Sequence, residues 1–292
     1  MRGGENAGRL DVTGRTVLVT GAASGIGAEL ARAAAAAGAR ILAVDVDTTG
    51  LDDLVAGLPG DRHLAAMVDV RDPEALADAV RRGREALGPV AMAFANAGVT
   101  PPTATMAGID PEAFRRVLDV NVMGVLHTYR AASDDLVSSR GHLHITGSCS
   151  AFMPGPGGAA YMVSKAGVEQ LARALRLETA HSGMTVGITL LGMIDTGLAS
   201  ATLDEDPFGR GLDDMLPGFL ARRVDPARTA RQILRHATRR TPRRVYPAAW
   251  MPLQAVRGLV PATDSLLVRD RRLAELLADL DARSRRSTVQ VT

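Results

Sequence analysis

The stretch that most constrains this chain is residues 15–45. Arg15-Thr-Val-Leu-Val-Thr20 is a short apolar, β-branched run of the kind a buried strand requires. Thr20-Gly-Ala-Ala-Ser-Gly-Ile-Gly27 follows and leads into an alanine-rich helix to about Ala37, with Gly38 as its stop. Arg40-Ile-Leu-Ala-Val-Asp45 reads as a second strand. Strand, glycine turn, helix and strand in that order form the βαβ unit that holds dinucleotides, and this implies a parallel sheet with crossover helices.

The three glycines have separable tasks. Gly21 permits the sharp turn, Gly25 lets backbone amides approach a pyrophosphate, and Gly27 lets the helix pack closely on the strand. The phosphates would sit at the helix N-terminus, where free N–H groups and the helix dipole favour negative charge. Asp45 closes the second strand 18 positions after Gly27. Its carboxylate can accept hydrogen bonds from ribose hydroxyls and would repel a 2′-phosphate, and neither Ser24 nor Val46 supplies a balancing charge. NAD is therefore expected over NADP.

The alternation continues along the chain. Strands are expected at about 63–68, 89–95, 142–146 and 184–191, with Val245-Tyr246 as a seventh. Asp72-Pro73, Asp110-Pro111 and Asp225-Pro226 each pair an N-cap with proline at the first helical position, and mark three helix starts. Asp69 follows the third strand, as an adenine contact or a strand stop. Asn96-Ala97-Gly98 follows the fourth, where a small loop can pass close to a cofactor. The helix from Pro111 to about Ser133 carries Asn121 among Val117, Leu118, Val120 and Val122. Asparagine is a mediocre helix former, so it satisfies a buried backbone group there, or it marks a kink that holds water in a proton path to Lys165. After the sixth strand an irregular stretch, 197–224, is expected to be a lid over the site, with Phe208, Leu212, Met215, Leu216, Phe219 and Leu220 as its apolar underside. Ordinary helix packing is the alternative for these six.

Ser148 to Lys165 carries the chemistry. Tyr161 and Lys165 are one helical turn apart and share a face. A phenol is a poor base at neutral pH, and a nearby ammonium would draw its pKa down. Ser148, at a strand end, can hydrogen-bond the same substrate oxygen. These residues give a site in which Ser148 polarises, Tyr161 exchanges the proton and Lys165 tunes Tyr161. Lys165 is also the sole lysine in a chain with 34 basic residues of the Lys and Arg type. The compact ammonium therefore stands where arginine would serve poorly.

Composition narrows the class further. The formal charge of +2 implies no nucleic-acid partner. One cysteine, Cys149, excludes an intrachain disulfide and reads as a small buried filler. No metal-ligand spacing stands out. A polar, flexible N-terminus over residues 1–10, without the apolar core of a signal peptide, and the absence of any membrane-length run lead us to expect a soluble cytoplasmic chain. Residues 11–247 are expected to form the catalytic domain. From Ala248 the pattern becomes an amphipathic helical extension, 248–292, with a disordered end from Ser284. We expect it to pack on its own domain or on a sister subunit, with membrane-surface association the lesser reading.

Thr20-Gly-x-x-x-Gly-Ile-Gly27, Asp69, Asn96-Ala-Gly98, Asn121, Ser148, Tyr161-x-x-x-Lys165 and Gly192-x-Ile-x-Thr196, in this order, resemble the short-chain dehydrogenase/reductase family over roughly residues 10–247. The resemblance implies an α/β fold: a doubly wound, Rossmann-type parallel sheet of seven strands in the order 3-2-1-4-5-6-7. It implies a nicotinamide cofactor and a catalytic set of Asn121, Ser148, Tyr161 and Lys165. Cofactor contacts would come from Gly21, Ser24, Gly25, Ile26, Gly27, Asp45, Asp69, Val70, Asn96, Ala97, Gly98, Tyr161 and Lys165. Gly192 would be a further cofactor contact, and Ile194 and Thr196 would meet the carboxamide end. Ser148, Met153, Tyr161 and Met193 would border an apolar small-molecule substrate, a secondary alcohol or its ketone. A homodimer or homotetramer is implied as well. The alternatives are a cofactor-sensing protein without catalysis, and a lyase or epimerase using the same Tyr and Lys. Two departures stand out: Ala95-Asn96 where the family often has two asparagines, and Leu191 where it normally has proline. The missing proline is expected to loosen the sixth-strand turn and weaken the contacts of Ile194 and Thr196.

Overall fold

The computed structural model describes residues 8–289 except residue 61. The first seven residues of the N-terminus expected to be flexible, and residues 290–292 of the expected disordered end, lie outside the described residues. Seven parallel strands form one sheet: β1 (Thr16–Thr20), β2 (Arg40–Asp45), β3 (His63–Met67), β4 (Val90–Ala95), β5 (His142–Ser148), β6 (Thr185–Leu191) and β7 (Arg243–Tyr246). Their order is β3-β2-β1-β4-β5-β6-β7. The chain therefore reverses direction across the sheet between β1 and β4, and a crevice opens beyond the carboxyl ends of the strands at that switch point.

Helices cover both faces. The first half contributes α1 (Gly25–Ala36), α2 (Thr48–Ala56), α3 (Pro73–Leu87), α4 (Pro111–Leu118), α5 (Gly124–Ser138) and α6 (Ala159–Glu178). One apolar layer lies against α1 and the later α10 (Pro226–Thr238), where Ala31, Ala34, Ala230 and Ala237 are fully buried and let the two helices approach closely. The other layer packs α3, α5 and α6 against the opposite face through Leu76, Leu136 and Val168. Each expected Asp-Pro start holds. Asp72 accepts from the N–H groups of Glu74 and Ala75, Asp110 from Glu112, and Asp225 from Arg228.

Three expectations change. The long helix around Asn121 is broken by a π-helical turn, Asp119–Met123, between α4 and α5. The supposedly irregular lid consists of α7 (Gly197–Leu203), α8 (Pro207–Asp213) and α9 (Gly218–Ala221). A fourth Asp-Pro pair, Asp206-Pro207, starts α8, with Asp206 accepting from Phe208 and Gly209. Phe208 and Leu220 are buried as expected, but Phe219 is 63% exposed and faces outward.

The extension consists of α11 (Met251–Ala255), α12 (Asp264–Leu267) and α13 (Arg271–Val289), and it folds back on the same chain, with Trp250, Leu273 and Leu280 buried. The end of α13 covers 284–289, most of the segment expected to lack order. Among the described residues, no helix is long and apolar enough to cross a membrane, and no group of His, Cys, Asp and Glu is placed to hold a metal ion.

Two histidines lie side by side inside the sheet. His142 Nδ1 meets Thr185 Oγ1 at 2.8 Å, His142 Nε2 meets His144 Nδ1 at 3.2 Å, and His144 Nε2 meets Thr189 Oγ1 at 2.9 Å. Burial holds His142 at a pKa of about 3 and His144 well below its ordinary value, with Arg240 and His236 adding to the effect. The unfolded chain takes up protons on both rings below about pH 6.5. Stability is therefore full above that pH and declines as pH falls towards the folded values. Unfolding measured at pH 7.5 and pH 5 should show a loss of about 2 kcal/mol for each ring. Burial also holds the partly buried His236 ring at about 4, so in His144→Asn the pH-dependent part should shrink by roughly a third to a half; an unchanged slope would assign the acid sensitivity to other groups.

Candidate active site

A cleft of about 820 Å³ opens at the carboxyl ends of the strands. It gathers every site residue expected from the sequence except Gly27 and Asn121. Gly27 sits behind the cleft wall: a Cβ there would collide with the carbonyl oxygen of Gly21, so its part is to let α1 pack on the turn. Gly21 has φ +67°, and a Cβ there would come within 2.8 Å of Ala97 Cα. The β1 turn and the loop after β4 thus touch backbone to backbone.

Asn96 and Thr20 lock that contact. Asn96 Nδ2 donates to the carbonyls of Thr20 (3.2 Å) and Gly21 (3.3 Å), and its Oδ1 accepts from Thr146 Oγ1 at 3.0 Å. Thr20 Oγ1 accepts from the Asn96 N–H at 3.1 Å. The Asn96 amide joins β1, β4 and β5, so it supports the cofactor cradle from beneath. Asn121 does similar work one layer back. Its Oδ1 accepts from the Val99 N–H (2.8 Å), and its Nδ2 donates to Val99 O and to Ser164 Oγ, both at 2.9 Å. The π-helical turn carries this fully buried amide to the loop, where it satisfies backbone groups, the first of the two roles considered for it.

The candidate catalytic side chains come from β5 and α6. Ser148 ends β5; its Oγ lies 2.9 Å from Ser150 Oγ and accepts from the Ser150 N–H at 3.1 Å. Tyr161 is in the first turn of α6 and keeps partial access to the cleft. Lys165, 5% exposed, places Nζ 5.6 Å from the centre of the Tyr161 ring and donates to the Thr146 carbonyl at 3.2 Å. The expected downward pull on the phenol does not prevail here. Burial raises the Tyr161 pKa, the Ser148 hydroxyl opposes that rise by hydrogen bonding, and Cys149 adds to it. Burial also lowers Lys165 to about 8. The cause is common to both groups: a charged form that must leave water is disfavoured whichever sign it carries.

At the other end of the cleft, Asp45 Oδ2 accepts from the Ala23 N–H at 2.9 Å, and Oδ1 accepts from Val46 at 2.7 Å. Asp69 is held below the usual carboxylate range by the Arg71 guanidinium, whose Nε donates at 2.9 Å. Arg71 and Arg116 both line this end. Sequence reasoning missed them, although Arg71 stands two residues after Asp69; it gave Thr20 no role although Thr20 opens the glycine motif, and it missed Thr146 and Ser164, which bear no motif of their own.

The turn after β6, where Leu191 stands, is hydrogen-bonded to two neighbouring segments. Gly192 N–H donates to Tyr246 O at 2.8 Å, Val224 N–H to Met193 O at 3.1 Å, and Asp195 N–H to Val224 O at 3.0 Å.

The cradle suits a dinucleotide. Ser24 makes no side-chain cap, so the first N–H groups of α1 remain available to an anion. A Cβ on Gly25 would meet nothing closer than Thr196 at 3.7 Å, which leaves bare backbone facing the cleft.

Comparison with known proteins agrees with this geometry. A family model described as short chain dehydrogenase matches residues 15–207. The chain is 33% identical over 196 residues, 64% of its length and 76% of the relative's, to the cis-4-hydroxycyclohexanecarboxylate dehydrogenase of Sinomonas cyclohexanicum. It is 36% identical over 188 residues to the 1-deoxy-11-beta-hydroxypentalenate dehydrogenase of Streptomyces exfoliatus, covering 62% of this chain and 68% of that one. The crystal structure of a short-chain type dehydrogenase/reductase from Mycobacterium marinum shares its fold with a TM-score of 0.71 and 26% identity, over 80% of this chain and 94% of that chain. A match that spans most of the sheet, on a backbone that superposes this well, means that the chain belongs to the short-chain dehydrogenase/reductase family, oxidoreductases that use a nicotinamide cofactor.

Proposed function

We propose that this protein is an NAD-dependent dehydrogenase of neutral alicyclic secondary alcohols, or a reductase of the matching ketones. The observation that carries the reading is the convergence of Ser148, Tyr161 and Lys165 at one end of the cleft whose other end holds the bare glycine turn and Asp45. The nicotinamide, when bound, supplies the hydride acceptor or donor. Ser148 holds the substrate oxygen, and Tyr161 takes its proton during oxidation or gives one during reduction. Lys165 keeps a positive charge behind the phenol, and Asn121 holds the 98–99 loop against α6 so that the pair stays in register.

Two features support the substrate class. The wall beyond Tyr161 is aliphatic and sulfur-rich, with Met153, Met193, Leu212, Met215 and Leu216, and such side chains adapt to rounded apolar rings. The lining cations among the described residues are Arg71 and Arg116, at the Asp69 end, and Lys165. The substrate end offers no separate cation for a carboxylate, and Asp213 presents a buried oxygen without a partner there. The two relatives named above for carboxylate substrates therefore suggest the ring chemistry and not the charge. Exposed Met123 and Val163, on the α4–α5 and α6 faces, support assembly as a homodimer or homotetramer.

Tyr161→Phe should remove more than about 99% of NADH formation from cyclohexanol while NAD binding persists, since the general acid–base contributes roughly 10²–10⁴-fold. Surviving turnover would move the proton-transfer role elsewhere. Asp45→Ala should narrow the NAD over NADP preference in kcat/KM by about tenfold, and an unchanged ratio would place cofactor choice at Arg71 or Arg116. Because burial raises the phenol pKa, Tyr161 is neutral at pH 7 and ready to donate. Ketone reduction should therefore hold through neutral pH, and alcohol oxidation should climb into the alkaline range. Steady-state profiles in both directions check this, and oxidation that peaks below pH 7 would contradict it.

A further inference from the structure

The family match stops at residue 207, so nothing in it speaks for the extension. We propose that the extension is the outer wall of the substrate cleft and sets the size of ring the enzyme accepts, an inference that rests on the dehydrogenase reading. Trp250, Leu267 and Leu273 line the same cleft as Tyr161 and Ser148. Trp250 is 5% exposed, and its indole sits directly on Gly192, where any Cβ would collide with Nε1. The extension therefore rests on the turn after β6, next to the reacting end of the cleft.

This wall is anchored on both sides of the opening. Glu169 lies on α6 one turn beyond Lys165 and is 4% exposed. It accepts from Arg257 Nη1 at 2.6 Å and from Arg243 Nη2 at 2.8 Å, so the extension is tied to the helix that carries the catalytic pair. Across the opening, Asp281 on α13 accepts from the Thr105 hydroxyl, and the Arg283 guanidinium lies 3.4 Å from Asp206, the cap of α8. Leu276 packs where Gly211 leaves space on α8. A segment held at the catalytic helix, the β6 turn, the loop after β4 and the lid spans the cleft like a beam. Its inward leucines meet whatever part of the substrate lies farthest from the reacting carbon.

Two cyclic alcohols of different size, cyclohexanol and cyclododecanol, test the wall through NADH formation. Leu267→Phe, at a partly exposed position that tolerates the ring, should lower the ratio of kcat/KM for cyclododecanol over cyclohexanol about tenfold. Leu273→Ala should raise it. An unchanged ratio in both variants would overturn the proposal while leaving the dehydrogenase reading intact. If the native enzyme oxidises neither alcohol, the dehydrogenase reading for this class falls, and the wall is then judged by fluorescence of Trp250, the sole tryptophan. Cyclododecanone should change that emission on titration, with Kd weakened about tenfold in Leu267→Phe. An emission indifferent to the ketone would overturn the wall as well.

Discussion

One face of α6 holds the site together. Tyr161, Lys165 and Glu169 follow one another at four-residue intervals, so a phenol, an ammonium and a carboxylate stack along the buried side of a single helix. Burying either charge without a partner would cost several kcal/mol. Each therefore has one from a different element: Lys165 donates to the last part of β5, and Glu169 accepts from β7 and from the extension. The helix is thereby located along its own axis by polar contacts, on top of the apolar packing of Val168, Ala172 and Leu175. Apolar contacts alone tolerate sliding, whereas a buried ion pair tolerates little.

A second set of polar contacts fixes the mouth of the cleft relative to that helix. The Asn96 amide connects β1, β4 and β5, and the Asn121 amide connects the 98–99 loop to Ser164 on α6. Each amide uses both of its N–H donors and accepts one hydrogen bond at its oxygen, which makes each a rigid three-way joint. Gly98 fits between them: a Cβ there would stand 3.3 Å from Asn121 Oδ1 and 3.6 Å from Lys165 Nζ. Small residues at 97 and 98 let the loop lie low, and the amides keep it there. The cradle for the cofactor and the proton-transfer pair are in this way parts of one bonded frame.

Much of this was legible in the chain. Periodicity and Asp-Pro starts gave β1, β2 and the three expected helix starts closely, because local preference and burial agree at those sites. The glycines were readable for the same reason: positive φ at Gly21 and collision at Gly27 are demands no other residue meets. The missing parts depend on distant contacts. Asn121 signals an irregularity within Asp119–Met123, but its form, a π-helical turn, goes with a distant contact, the hydrogen bonds of Asn121 to Val99. Asp206-Pro207 is as plain a start as the other three, yet it lies within the long insertion after the sixth strand that reads as an irregular lid. The Tyr161 pKa was misjudged because spacing reveals a neighbouring charge but not how far both groups are removed from water.

The extension illustrates a more general asymmetry. The candidate catalytic residues proposed above occupy a strand end and one helix face, where geometry leaves few solutions, so their spacing is legible as a motif. The far wall has no such constraint, since any apolar segment that reaches the opening can form it. Here the reaching segment begins at the end of β7, on the far edge of the sheet, and crosses to the loop after β4. That path is possible because Gly192 leaves room for Trp250 and Gly211 leaves room for Leu276. Two glycines outside the nucleotide turn thus determine where the substrate space ends, and they do so by the same means as Gly27, by having no side chain where another element must rest.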